Sequence, residues 1–224
     1  DGWGSYVKAP YTFGDPYTGI NRMYLKIKSK LMPYIYTSAA SAANIDTGND
    51  DTGLPMVRAM FLAYPQDRYA YTRQVQYQYM LGANVLVAPV YKSVAADEIG
   101  NDVRNNIYLP DAEEIWIDYL TGEKYRGGQV LNNFEAPIWK LPVFVKNGTI
   151  LPMYEANNTP DEINKANRIV EFWPAGSSAY TAFEDDGKYI KNETKQEDAY
   201  GTIGHVSYGD HVSTTYTSCV EGDT

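Results

Sequence analysis

Apolar residues recur at Ile20, Met23, Tyr24, Ile27, Leu31 and Ile35, the spacing of three and four that lines one face of an α-helix. Thr18 stands where a helix cap belongs, and Lys26, Lys28 and Lys30 fall mostly outside the stripe. Pro33 predicts a kink, yet the small residues from Ser38 to Ala43 prolong the pattern beyond it. A long helix that is apolar on one side predicts a large partner. Before it, Asp1 to Pro16 is rich in Gly, Pro and aromatic residues and reads as an irregular loop. After it, IDTGNDDTG (45–53) is a polar loop. LPMVRAMFLAY (54–64) is apolar on both faces around one charge, Arg58, and predicts a strand buried on both sides, as in a parallel sheet. A shorter helix is predicted over Tyr69 to Leu81. This order is the grammar of an α/β barrel or a layered sheet.

The pattern changes near Asn84. Short apolar runs follow, NVLVAPVY, NNIYLP, EIWIDYL, LPVFVK and TILPMY, divided by Thr121-Gly122, Gly127-Gly128 and Asn147-Gly148. Asn-Gly between apolar runs is the strongest short hairpin signal, so FVK and TILP are expected to pair. Residues 84–157 read as an antiparallel β domain. The polar stretch 155–167 reads as a linker, and RIVEFWPAG and SAYTAFEDDGKY open another set of strands. The expected class is α/β followed by all-β, divided at 1–83, 84–157 and 158–224.

Composition narrows the chemistry. At 44% hydrophobic and 21% charged residues the chain is ordinary for a globular protein, and no run approaches the ~18 apolar residues of a membrane span. The net charge of −9 and the lack of a basic stripe argue against nucleic acid as a partner. The chain does not begin with Met, and no charged leader precedes an apolar block. Cys219 is alone, which excludes an intrachain disulfide or a cysteine metal cage, and it sits in a polar tail with nothing to activate it. One thiol fits a reducing cytoplasm and equally a secreted bacterial enzyme without disulfides, so the compartment stays open, with the secreted setting favoured. His205 and His211 are six apart, which is not a helical metal pair. The 21 tyrosines suit either strand packing, the first reading, or the faces of sugar rings.

Two acidic pairs remain. Asp50-Asp51 lies among Gly, Asn and Thr and reads as turn residues. Asp185-Asp186-Gly187 reads first as a β-turn, with ligation of a structural Ca²⁺ as the second reading, because adjacent carboxylates supply hard oxygen ligands; no other cofactor is expected. Arg58 either pairs with an acid inside the core, the favoured reading, or reaches a pocket at the end of its strand.

KLMPYIYTSA, LPMVRAMFLAYPQD, YQYMLGANVLVAPVY, IYLPDAEEIWIDYLTGEKYRGG and LPVFVKNGTILP resemble, in order and spacing, glycoside hydrolase family 31. DGWGSYVKAPYTFGDPYTGINRMYLKIKSKL and GNDVRNNIYLP resemble its cycloalternan-forming and related α-glucosyltransferase branch. The resemblance implies that residues 1–83 are the C-terminal end of a (β/α)₈ catalytic barrel, with LPMVRAMFL as its last strand. It implies a proximal antiparallel β-sandwich domain at 84–157 and the start of a distal β domain after the linker. Family members use two aspartates, a nucleophile and a general acid/base, with retention through a covalent intermediate. Both would precede Asp1, so this chain alone is expected to be inactive. The resemblance also places Asp1 where it would accept hydrogen bonds from sugar hydroxyls at the −1 subsite, with Trp3 bordering that pocket. The implied partners are an α-glucan or α-gluco-oligosaccharide and the N-terminal remainder of the same enzyme. The rival reading is a non-catalytic carbohydrate-binding or structural β module, with Trp139 or Trp173 as a stacking platform.

Overall fold

The structure is a computed structural model and describes residues 9–94, 97–98, 100–164, 167–175 and 177–183, with the backbones of strands at 203–208 and 212–217. Two helices come first, α1 (Tyr17–Lys30) and α2 (Met32–Ala42). The expected single helix is broken at Leu31 rather than kinked at Pro33. Pro33 lies in the first turn of α2, where a missing N–H has no helical acceptor to lose.

Short strands then dominate. In chain order they are β1 (Val57–Ala59), β2 (Tyr79–Leu81), β3 (Val85–Val87), β4 (Asp102–Arg104), β5 (Ile107–Leu109), β6 (Ile115–Asp118), β7 (Lys124–Arg126) and β8 (Gln129–Leu131). They continue with β9 (Phe134–Ala136), β10 (Val143–Lys146), β11 (Ile150–Met153), β12 (Ile169–Phe172), β13 (Ser178–Phe183), β14 (Ile203–Tyr208) and β15 (Val212–Thr217). A one-turn helix, α3 (Met60–Ala63), follows β1 directly. The central sheet has the order β1-β2-β3-β10-β6-β7, beside the pairs β4-β9, β5-β8 and β11-β12 and the triplet β13-β14-β15. Every strand pair among the described residues is antiparallel.

Three expectations are corrected by this topology. LPMVRAMFLAY is not a parallel barrel strand. Only Val57–Ala59 is extended; it pairs antiparallel with β2 at the sheet edge, and its outer residues are exposed while Arg58 is buried. The helix expected over Tyr69 to Leu81 is two 3₁₀ turns, Arg68–Tyr71 and Arg73–Val75, followed by β2. Asp67 starts the first of them by accepting from Tyr69 N at 2.8 Å. Asn147-Gly148 does not close a hairpin, because β10 pairs with β3 and β6 while β11 pairs with β12. It is a turn, closed by Thr149 N on Lys146 O at 3.2 Å, that carries the chain from one sheet to another.

The central sheet is covered on both faces, and the alternation of side chains along a strand sorts its residues between two cores. Leu86, Phe144, Trp116 and Met80 point to one side, where they pack on Ile107, Leu109, Phe134 and Met60. Val85, Val87, Val145 and Ile117 point to the other, against Leu31, Tyr34, Ile150, Leu151 and Tyr180. Gln78 extends the first arrangement: its amide exchanges two hydrogen bonds with the backbone of Tyr108, at 2.8 and 2.9 Å, in place of a strand neighbour. On the second side β13 is fastened to α2, with Phe183 N donating to Thr37 Oγ1 at 2.9 Å and the Tyr34 and Tyr180 rings 5.9 Å apart. At the β2–β3 turn, Gly82 has φ +62°, and a Cβ there would overlap the Tyr34 hydroxyl, so only glycine closes that turn. β12 pairs with β11 across the 154–168 connection, and Arg168 lies over the Tyr154 ring at 4.8 Å.

Candidate functional site

Arg58 is 3% exposed in the middle of β1. Its Nη2 meets Asp51 Oδ2 at 2.9 Å, and its Nε donates to Pro55 O at 2.7 Å. The core pairing expected for Arg58 is therefore present, and its partner Asp51 is a buried counter-ion as well as a turn residue, its carbonyl accepting from Leu54 N at 3.1 Å. Asp50 beside it stays exposed. A second buried pair joins Lys140 Nζ to Asp118 Oδ2 at 2.7 Å, in a geometry that supplies charge attraction without a formed hydrogen bond. The other oxygen of Asp118 accepts from Leu120 N and Thr121 N and so shapes the β6–β7 turn. Both pairs organise the fold.

A polar cavity of about 310 Å³ opens where the Asn147-Gly148 turn crosses between sheets. Its lining includes Glu114, Lys146, Asn147, Thr149 and Tyr180. Burial pulls the Lys146 ammonium below the usual lysine range, opposed by the nearby Glu114 and Asp111 charges. Burial likewise pushes the Glu114 carboxyl up, with Lys146 pulling it back. Lys146 Nζ lies 5.5 Å from the Tyr64 ring centre and 5.9 Å from that of Trp116. Sequence reasoning passed over this group. Its signal was a charge and two polar residues set between the apolar runs of β10 and β11.

A third feature is apolar. A cleft of about 510 Å³ lies between α1 and the central sheet, lined by Tyr24, Ile27, Leu31, Ile35, Val87 and Leu141 among others. The predicted stripe thus faces the sheet, yet no residue of α1 is buried. Leu25 on the same helix is 51% exposed. Tyr24 reaches across with its side chain, donating to Trp139 O at 2.8 Å and accepting from Leu141 N at 2.6 Å.

Of the residues singled out in the sequence, Asp1, Trp3, Asp185 and Asp186 lie outside the described residues, as do His211 and Cys219. His205 falls on β14, opposite Thr181 and Thr215. Trp139 is 44% exposed. Trp173 is half-buried against the core, packed on Tyr119 and donating through Nε1 to Glu171 at 2.9 Å. Among the described residues no group of three or more His, Cys, Asp or Glu side chains could hold a metal ion, and no helix is long and apolar enough to cross a membrane.

Comparison with known proteins agrees with this architecture. The family described as glycosyl hydrolase family 31 C-terminal domain matches residues 53–151, beginning just before β1 and ending in β11. The chain is 36% identical to an isomaltosyltransferase of Sporosarcina globispora over 78% of its own length and 15% of the relative's. It is 30% identical to α-glucosidase 2 of Bacillus thermoamyloliquefaciens over 82% of its length and 21% of the relative's. The chain thus spans about a fifth or less of the curated proteins it resembles. Among solved structures, the Flavobacterium johnsoniae family 31 dextranase covers 93% of this chain and 23% of its own, with TM-score 0.73 and 29% identity. The cycloalternan-forming enzyme of Listeria monocytogenes covers 93% of this chain and 18% of its own, with TM-score 0.64 and 26% identity. The chain belongs to glycosyl hydrolase family 31, whose C-terminal β domain it carries.

Proposed function

We propose that this chain is the C-terminal part of a retaining family 31 glycoside hydrolase that acts on α-linked glucosides by hydrolysis or by α-glucosyl transfer. The two outcomes share one glycosyl-enzyme intermediate, resolved either by water or by a sugar hydroxyl. Such chemistry needs two carboxyl groups about 5–5.5 Å apart across the scissile bond. The two buried aspartates in ion pairs do other work: Asp51 is tied to Arg58 and Asp118 to Lys140. By the family resemblance, the nucleophile and the acid/base are assigned to the polypeptide upstream of Asp1, Asp1 to the −1 subsite as an acceptor from sugar hydroxyls, and Trp3 to the border of that pocket. Relatives support the substrate class, since the dextranase was solved with glucose and with isomaltotriose and the cycloalternan-forming enzyme with a pentasaccharide substrate.

The observation that carries the reading is the apolar side of α1, which lies over the cleft beside the central sheet but is only half-buried there. Isolated exposed Leu or Tyr residues need no explanation, but a helix that buries its apolar stripe only in part and leaves Leu25 exposed is suited to meet a partner. The partner proposed is the N-terminal remainder of the same enzyme. Purified alone, the 224-residue chain should show no turnover of isomaltose, maltose or 4-nitrophenyl α-glucoside. Mixed with the upstream polypeptide it should give a stable complex by gel filtration and activity with retained anomeric configuration by NMR. Leu25→Asp should weaken that complex. Turnover by the chain alone, or no association with the upstream piece, sinks the proposal.

A further inference from the structure

The chain contains one Asn-Gly bond, Asn147-Gly148, and the fold favours glycine at its second position. Gly148 has φ +89°, in the left-handed region where a side chain is strained. Of the positive-φ glycines among the described residues it alone follows an asparagine. Asparagine is a thermally labile residue, and a following glycine makes it more so. With no side chain in the way, the glycine nitrogen can reach and attack the asparagine side-chain carbon. In this fold the attacking atom is engaged. Gly148 N donates to Trp173 O at 2.6 Å, and Trp173 N donates back to Thr149 O at 2.9 Å, which extends the β11–β12 ladder past Ile150 and Phe172. Asn147 is held from the other side, its N donating to Ile115 O at 2.7 Å. The carbon under attack is not activated either. Asn147 Oδ1 is buried and meets no hydrogen-bond partner among the described residues, so negative charge growing on it would go unanswered.

We propose that Asn147-Gly148 is a deamidation site that the native fold keeps closed and that reacts only when the Gly148–Trp173 hydrogen bond breaks. The turn then records how often the end of β12 leaves β11, a property independent of the activity proposed above. In the open state a solvent base takes the Gly148 amide proton, the nitrogen bonds to Asn147 Cγ, and the Cγ–Nδ2 bond breaks with release of ammonia. Water adds to either carbonyl of the resulting succinimide ring and opens it to aspartate or isoaspartate at position 147. Both products resist return to the closed turn. Aspartate brings a charge to a place where the Asn147 oxygen is buried. Isoaspartate adds a methylene to the backbone between β10 and β11, whose inner residues are buried. Trp173 is the catch on this site. Its ring packs on Tyr119 with centroids 5.7 Å apart, and its Nε1 donates to Glu171 at 2.9 Å, which fixes the residue whose carbonyl holds Gly148.

The test is peptide mapping by mass spectrometry of the purified chain, aged in mildly alkaline buffer with and without urea. Deamidation at Asn147 should be roughly tenfold or more slower in the folded chain, because only its open fraction reacts. Hydrogen exchange at the Gly148 amide, followed by NMR in the same buffer, reads the same opening independently. The retardation of exchange and the retardation of deamidation, each taken against the unfolded chain, should agree. Trp173→Ala should speed deamidation severalfold in native buffer and leave the rate in urea unchanged. Equal rates with and without urea, or two retardations that disagree, overturn the proposal. A folded Trp173→Ala chain that ages no faster than the parent overturns it too, and if that variant does not fold the comparison of the two retardations decides.

Discussion

At the residue scale, the buried charges show how much one position depends on another. Arg58 lies in an edge strand, where among the described residues Asp51 and the Pro55 carbonyl answer its charge. Removing one partner of such a pair leaves an uncompensated ion in the core, at a cost of about 3–5 kcal/mol, whereas replacing both with apolar residues can be nearly neutral. Asp51→Ala should therefore lower the urea midpoint sharply, and Asp51→Val combined with Arg58→Met should recover most of the loss. A double variant no better than the single one would mean that the pair contributes through more than its charge balance. Arg104 is answered differently: it donates to the carbonyls of Pro89, Tyr77 and Asn105 and lies over the Tyr91 ring at 4.7 Å. The need for an Arg58 partner was legible in the sequence, because a charge inside an apolar run must be paired. Its identity was not, since Asp51 sits among turn-forming residues and only the folded loop brings it under β1. Lys146, Asn147 and Thr149 were hidden for a similar reason: Asn-Gly between apolar runs reads as a hairpin, and that reading leaves no cavity beside the turn.

Elements of three or four residues explain most of what periodicity misjudged. A strand such as Tyr79–Leu81 completes barely one alternation, too little to separate a period of 2 from one of 3.6. The helical character of residues 20–35 was legible because the stripe runs for several turns, though the break at Leu31 that divides it between α1 and α2 was not. The β pattern after Asn84 was legible as a kind, but the pairing was not, since β10 finds its neighbours in β3 and β6, far away in the chain. Close backbone approach is similarly invisible in sequence. At the β7–β8 crossing, a Cβ on Gly127 would overlap the carbonyl oxygens of Asp111 and Pro110. Backbone cannot move aside as a flexible side chain can, so Gly127→Ala should cost about 3 kcal/mol or more. Thermal melting of that variant beside Gly122→Ala checks this; at Gly122, which also turns the chain, a Cβ has open space around it. A loss at Gly127 no larger than that at Gly122, where φ of +76° alone disfavours alanine, would mean that the crowding at 127 is relieved by a backbone shift.

For the whole molecule, the abundance of tyrosine reads mostly as packing. Tyr34, Tyr64, Tyr119 and Tyr180 all have phenols raised above the ordinary range, in each case first by burial. The folded state therefore keeps protons that the unfolded chain gives up near pH 10. Stability from these groups is fully present below pH ~10 and falls as pH rises beyond it, by up to about 1.4 kcal/mol per pH unit for each group. Alkaline titration should accordingly show these phenolates appearing at 295 nm together with loss of the fold, in one cooperative step. Phenolate absorbance from them while near-ultraviolet dichroism stays intact would contradict the burial described. The connection at 154–168 has another consequence. Its ends are already fastened together by the β11–β12 ladder and by Arg168 over Tyr154, so lengthening it stretches nothing. Doubling such a loop costs only about 0.6 kcal/mol of chain entropy, which makes this the place where the fold can gain whole new segments in evolution, or accept an inserted reporter domain, with both cores left as they are.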